Sequence, residues 1–296
     1  MSREQQFIDR LKPLARDPGA RGLIDDAAVL AVGNETLVLT HDMLVEGVHY
    51  LPADPPADVA WKLVAVNLSD LAAKGAVPVA ALMGYTLGPD ADWDAAFVAG
   101  LGAALGAFAL PLLGGDTVTM PQGRALGLTA IGRATGPVPS RGGVQAGDQL
   151  WVTGRIGAAR LGLAIAKGMA EGPEEWLTAY RRPMPRLAWG QALGPRVHAM
   201  ADVSDGLLID ARRMAAASGL GVTIALETVP IVGDDALAAV TAGDDYELLF
   251  AAPPGFAPPS DCIATLIGGF APGEGLRLTR DGAAIALPAR LGYEHD

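Results

Sequence analysis

Residues 27–42, AAVLAVGNETLVLTHD, and residues 56–75, PADVAWKLVAVNLSDLAAKG, decide the fold class. Two apolar runs, AAVLAV and TLVLTHD, are joined by the turn-prone pair Gly33-Asn34, which predicts a β-hairpin. From Pro56 to Lys74 the apolar residues Ala60, Trp61, Val64, Leu68 and Leu71 recur at three- and four-residue steps. With a proline near its start, that stretch predicts a helix. Outward from this core, VPVAALMGYTL (77–87) and RALGLTAIGRAT (124–135) read as strands around an Ala-rich buried helix from about Trp93 to Phe108. LPLL (110–113) reads as a short buried strand. An initial helix precedes the hairpin. The stretch GPVPSRGGVQAGD (136–148) is dense in Gly and Pro, which places a domain boundary there and divides the chain into residues 1–137 and 138–296.

The second half opens on the strand QLWVTG (149–154), followed by helices near 158–167 and 174–181 and a third beginning at RLAWGQAL (186–193). HAMADVS (198–204) reads as a strand leading into a helix over 207–217. Strands GVTIALE, ELLFAA and CIATLIG follow, and a hairpin turns at Asp281-Gly282. The fold class is therefore mixed α/β in two domains.

Composition narrows the function classes. The chain has 296 residues, half of them apolar, with 38 Gly, 22 Pro and only 5% aromatics, which suits tight turns and closely packed backbone. A net charge of −11 opposes a broad footprint on nucleic acid or anionic lipid, so neither partner is expected. The single cysteine, Cys262, cannot form an internal disulfide, and the charged N-terminus lacks an apolar signal region, so the chain reads as cytoplasmic. Residues 95–115 are uncharged over a bilayer-spanning length. Their Ala and Gly content, Pro111 and the flanking Asp94 and Asp116 favour a buried helix over a membrane span.

Acidic residues gather at the exits of apolar runs: Asp25, Asp26, Asp42, Asp116, Asp202 and Asp205. A carboxylate at the rim of a core is costly unless neutralised. Mg²⁺, an oxygen-seeking cation bound through a few carboxylates and substrate phosphates, would neutralise several at once. Each aspartate alone also fits a cap or turn role. Asp70 stands four residues before Lys74, a spacing that serves a surface ion pair or a site edge equally. In Gly114-Gly115-Asp116 the two glycines let backbone N–H groups approach an anion while the aspartate holds its metal. No Walker-type loop, dinucleotide fingerprint, kinase signature or G-x-S-x-G elbow occurs. His41 and His49 lack a third partner for zinc. Arg141 offers a guanidinium to phosphate or to solvent.

In order, IDDAAVL (24–30), LTHDMLVEGVHY (39–50), AVNLSDLAAKGA (65–76), LLGGDT (112–117), SRGGVQAGDQLWVTG (140–154), ADVSDGLLID (201–210) and AGDDYELLF (242–250) closely resemble the successive motifs of the thiamine-monophosphate kinase family. That family lies within the aminoimidazole ribonucleotide synthetase superfamily, and the resemblance covers about residues 20–295. It implies an N-terminal domain whose sheet pairs with that of a second copy, a C-terminal α/β domain, and ATP near the interface of a homodimer. It also implies transfer of a phosphoryl group from ATP to thiamine monophosphate with several Mg²⁺ ions. By it, Asp26, Asp42, Asp70, Asp116, Asp202 and Asp205 match metal-binding aspartates, with Thr40 and His41 at the same site. Gly115, Arg141 and Ser204 match nucleotide contacts; His49, Asp244 and Tyr293 match substrate contacts. Three positions depart from the pattern: His41 replaces a hydroxyl residue, Asp244 a glutamate, and the terminal GYEHD a GYDHF. An acceptor phosphate is already ionised at neutral pH, so no covalent or general-base residue is expected. Trp151 and Tyr246 are available to pack on substrate rings or in the core. Another ATP-dependent superfamily member, and a nucleotide-binding relative without turnover, are the alternative readings.

Overall fold

The hairpin and the helix after it stand in the computed structural model, which describes residues 3–295. Helix α1 (Arg3–Leu11) comes first, then strands β1 (Ala28–Val32) and β2 (Glu35–Val45). Val32 sits opposite Glu35, so Gly33-Asn34 is the two-residue turn expected. The strand β2 continues through Val45, which puts Asp42 in mid-strand and not at a strand exit. Next come α2 (Pro56–Ala73), β3 (Val77–Leu87), α3 (Ala91–Ala107), β4 (Leu112–Thr119) and β5 (Ala125–Arg133). The five strands form one sheet in the order β1-β2-β5-β3-β4, antiparallel except for the parallel pair β3/β4.

Two expectations for this half are corrected. Helix α3 buries only Phe97, Gly100, Leu101 and Ala104, one face at three- and four-residue steps, and leaves Val98 62% exposed. Its apolar sequence all round concealed that stripe. Asp90 caps it, accepting from the backbone N–H groups of Asp92 and Trp93. LPLL is not a buried strand: β4 begins at Leu112, runs through Asp116 to Thr119, and is exposed along its whole length in the single chain. Asp116 therefore lies within a strand, not at its exit. With Leu113 (66% exposed) and Val118 on β4, Met43 on β2, and Val79 and Leu82 on β3, the sheet carries many exposed apolar side chains.

The second half holds β6 (Gln149–Thr153), α4 (Ala158–Ala166), α5 (Glu174–Arg181), α6 (Leu187–Leu193), β7 (Ala199–Asp202), α7 (Leu207–Ala217), β8 (Gly221–Ala225), α8 (Ala236–Ala242), β9 (Leu248–Ala252), β10 (Ala264–Ala271), β11 (Leu276–Arg280) and β12 (Ala283–Ile285). Only α8 was not foreseen; Asp235 caps it. Seven strands form a second mixed sheet, β12-β11-β8-β10-β6-β9-β7. Among the described residues, no helix is long and apolar enough to cross a membrane.

Helix α2 is the joint between the halves. From Val59 to Ala73 all but Trp61 is buried, so the single apolar stripe read from its sequence is only part of its contact surface. Val59, Leu63, Val64, Leu68 and Leu71 belong to the core under the five-stranded sheet, while Ala72 and Ala73 pack with Leu193, Met200, Leu248 and Phe250 of the second half. Trp61 Nε1 donates to the carbonyl of Pro183 at 3.0 Å. Asp54, just before the helix, accepts from Tyr180 Oη and Arg181 Nε of α5.

Candidate active site

Polar side chains inside an almost wholly buried helix must find partners, and those of α2 build the site. Asn67 Oδ1 accepts the backbone N–H of Asp42 at 2.9 Å and so fastens β2. Ser69 Oγ donates to Asp202, the last residue of β7. Asp70 accepts from Thr40 Oγ1 in a very short contact. Lys74 is fully buried, ion-paired with Asp25 and with Asp26 (2.7 Å to Oδ2), and donates to the carbonyl of Met200. The surface pair Asp70–Lys74 considered from the sequence does not exist.

Carboxylates from three segments thereby converge. Asp26, Asp70 and Asp202 each present an oxygen within 4.8 Å of the others. Burial, then the charges of Asp26 and Asp205, push Asp42 up to about 6. Burial raises Asp70 well above its ordinary value, with the charges of Asp42, Asp202 and Asp26 adding to it. Asp202 is raised likewise by burial and by Asp26. In contrast, Lys74 and Arg21 outweigh burial at Asp25 and hold it at about 2. An all-oxygen, mutually repelling donor set of this kind fits a hard divalent cation.

Beside this cluster lies a cavity of about 1170 Å³ whose lining includes Arg141, Ser204, Asp205, Arg213, Lys12 and Glu4. Arg141 ion-pairs with Asp26 in a very short contact. Burial disfavours its charge, but Asp26, Asp210, Asp25 and Asp202 outweigh it and keep the guanidinium firmly protonated. Asp205 is ion-paired with Arg213, and its backbone N–H and that of Gly206 donate to Asp210 at 3.2 Å.

The three expected substrate residues are also drawn together. His49 Nδ1 accepts the N–H of Val45, which leaves Nε2 as the protonated nitrogen of the neutral ring. Its ring lies 5.6 Å from that of His295, which in turn meets Tyr293 edge-on at 4.9 Å. Asp244 is ion-paired with Lys62 at 2.6 Å. Both groups hang on the loop carrying Ser204 and Asp205: Asp244 N donates to Ser204 O at 2.7 Å, and Tyr293 N to Asp205 O at 2.9 Å. At Gly243 (φ +79°) a Cβ would stand 2.5 Å from Ser204 O, so this approach requires glycine.

Other expected residues stand apart. Residues alternate across β2, and His41 faces away from buried Thr40, hydrogen-bonded to Thr129 Oγ1. Its side chain does not join the aspartates. Asp116 lies on exposed β4, paired with Gly84 of β3; its side chain accepts only the N–H of Thr117 among the described contacts. At Gly115 a Cβ would strike Met83 O at 1.8 Å, so close strand packing already requires that glycine. Trp151 packs on Phe250 and Phe256 in the core, and Tyr246 is buried with its hydroxyl on Asp244. Sequence reasoning missed Lys62, Asn67, Ser69 and His295. For the first three the available signal was polar residues scattered through a helix made largely of Ala, Val and Leu.

Two mixed domains around an all-oxygen carboxylate cluster define a class, that of the AIR synthase related proteins: their N-terminal domain matches residues 24–134 and their C-terminal domain residues 145–279. Thiamine-monophosphate kinase of Salmonella typhimurium is 35% identical, over 98% of this chain and 96% of its own length. The enzyme of that name from Caulobacter vibrioides is 37% identical over 96% and 88%. The solved structure of AaThiL complexed with AMPPCP and TMP superposes with a TM-score of 0.86 at 26% identity, covering 99% of both chains. The chain belongs to the thiamine-monophosphate kinase family.

Proposed function

We propose that this protein transfers the γ-phosphoryl group of ATP directly to the phosphate of thiamine monophosphate, giving thiamine diphosphate, with Mg²⁺, as a cytoplasmic homodimer. The observation that carries this reading is the shared loop 203–206. On one side it presents Ser204 and Asp205 to the cavity with Arg141; on the other it fixes Asp244 and Tyr293. A donor and an acceptor held on one short loop are positioned against each other, and positioning is most of what this chemistry needs.

Asp26, Asp42, Asp70, Asp202 and Asp205 are the residues that would hold Mg²⁺, which supplies neutralisation of the phosphate charge during transfer. Arg141 and Ser204 orient the nucleotide. His49 Nε2 offers a donor to the acceptor, while Asp244 and Tyr293 bound its rings. No proton has to be removed from the attacking phosphate oxygen, so no side chain acts as general base. The proposed domains are residues 1–137, carrying the metal ligands of β2 and α2, and residues 138–296.

Asp116, Gly115 and His41 are assigned to the metal and nucleotide by resemblance, with His41 acting through its backbone. Support for a second copy comes from the exposed apolar side chains Met43, Val79, Leu82, Leu113 and Val118 on the five-stranded sheet, a surface that needs cover.

The test is production of ADP and thiamine diphosphate from ATP, Mg²⁺ and thiamine monophosphate by the purified protein. Nucleotide binding without ADP formation would identify a binding protein instead.

A further inference from the structure

Lys62 lies one helical face away from the metal cluster and is untouched by the mechanism above, yet its ammonium is among the most enclosed charges in the molecule. Its side chain is 2% exposed. One N–H reaches Asp244 Oδ2 at 2.6 Å, another the carbonyl of His49 at 3.0 Å, and the ammonium stands 4.5 Å from the ring centre of Tyr180. A single group thus ties α2 to the 46–50 turn, to the 243–247 loop and to α5, across both halves of the chain.

The asymmetry of the pair is informative. Lys62 is dry, whereas the side chain of Asp244 is 33% exposed. Asp244 has a left-handed backbone, φ +64°, uncommon for a residue with a Cβ. Its Oδ1 accepts from Tyr246 Oη at 3.0 Å while Oδ2 accepts from Lys62, so the carboxylate is clamped at both oxygens with one edge open to solvent. His49 is held at its carbonyl by Lys62 and at Nδ1 by Val45 N–H, with Nε2 left over. A buried ion pair contributes little stability compared with apolar packing of the same volume, and its best-attested return is a fixed geometry.

We infer that Lys62 is the positioning residue of the acceptor subsite: one buried ammonium sets the distance between His49 and Asp244, and with it the fit of the phosphomonoester acceptor. The inference rests on the reading of His49 and Asp244 as acceptor contacts. Lys62 does not touch the substrate.

The test compares Lys62→Met, Lys62→Arg and Asp244→Ala in the full chain, measuring KM for each substrate, kcat, and the affinity for thiamine monophosphate by calorimetry without ATP. Lys62→Met is expected to raise the KM and the dissociation constant for thiamine monophosphate about tenfold or more, the cost of losing one charged contact on each of two residues, with KM for ATP within about twofold. Lys62→Arg, which keeps the charge and the donors, should recover most of the loss. Equal effects on both substrates, or a loss of thermal stability with acceptor affinity unchanged, would overturn the inference. If Lys62→Met does not fold, Lys62→Gln, which keeps N–H donors but loses the charge and the reach, decides in its place: it must raise acceptor KM and leave ATP KM within about twofold, and an unchanged acceptor KM overturns the inference. If Asp244→Ala leaves acceptor affinity unchanged, the acceptor reading itself falls. If Asp244→Ala weakens it and Lys62→Met does not, only the role of Lys62 falls.

Discussion

Replacing Asp42 with asparagine should make the metal-free protein more stable at neutral pH while abolishing its turnover. Asp42 is pushed from 3.8 to about 6 by burial and by the charges of Asp26 and Asp205. The folded protein therefore holds a proton there that the unfolded chain gives up. Between pH 3.8 and about 6 the folded state binds more protons, so its stability falls as pH rises, and the loss is complete above the folded value. A shift of roughly 2 units corresponds to about 3 kcal/mol at pH 7.5. Asparagine is neutral at every pH and escapes that penalty. Without metal, the variant should unfold on the order of 5 °C above the parent at pH 7.5, and about level with it near pH 3.5, where Asp42 is protonated in both the folded and the unfolded chain. His49, whose pKa burial lowers, contributes the opposite slope below pH 6.5, but equally in both proteins, so it cancels in the difference. Thermal unfolding in EDTA at the two pH values measures the effect. Adding Mg²⁺ should stabilise the parent more than the variant, and turnover of the variant should fall by about 100-fold or more. Equal destabilisation by Asp42→Asn at both pH values, in EDTA, would refute the argument that mutual carboxylate repulsion is stored at this site.

Three further outcomes follow from the same geometry. Thiamine without its phosphate should be a very poor acceptor, because its hydroxyl must lose a proton and lies several Å short of the donor; equal rates with thiamine and thiamine monophosphate would overturn the acceptor assignment. Light scattering over a concentration series should give twice 30.3 kDa, and Leu113→Arg, on the exposed strand β4, should shift the protein to monomer; a fully active parent monomer at micromolar concentration would remove the second copy from the proposal. Lys74→Met should cost about 3–5 kcal/mol in denaturant unfolding, since it strips the buried Asp25 and Asp26 of their shared cation; a loss below about 1 kcal/mol would show that Arg21 and Arg141 suffice.

Much of the architecture was legible because its signals are local. The turn at Gly33-Asn34, the proline start of α2 and the Asp281-Gly282 hairpin are each written in a few adjacent residues. What failed was whatever depended on the far side of an element. LPLL looks like a core strand because it is apolar, but sequence cannot say whether an apolar strand is covered by its own chain. Asp42 looked like a strand-end residue because the break in apolarity after TLVLT resembles a terminus; in a strand with one polar-lined inner face that break is the site itself. His41 and Asp42 are adjacent in sequence and opposite in space, and only the pleat of β2 separates their roles. The partners of Lys62 and Lys74 were beyond reach, since Lys62 meets Asp244 across 182 positions and Lys74 meets Asp25 across 49.

The burial of α2 on nearly all its faces explains how an acidic chain can manage two anionic substrates. Cations in this region are paired in advance: Lys74 and Arg21 with Asp25, Arg141 with Asp26, Arg213 with Asp205, Lys62 with Asp244. These pairs nearly neutralise one another and leave Asp42, Asp70 and Asp202 as the carboxylates that still repel each other, within a chain that carries −11 overall. On the proposed reading, an incoming nucleotide would meet guanidinium groups already aimed by carboxylates, and a metal would meet carboxylates already gathered by Thr40, Ser69 and Lys74, so little reorganisation would be left for the encounter. Because Asn67, Ser69, Asp70 and the capping residue Lys74 fall within two turns at the end of one helix and Lys62 little more than one turn earlier, the proposed donor-side and acceptor-side geometry would be set by a single rigid body. A displacement of α2 would disturb both sides together, whereas loss of one polar contact disturbs one side. That difference lets the kinetic effect of each substitution on the two substrates separate residues that hold the helix from residues that the helix holds in place.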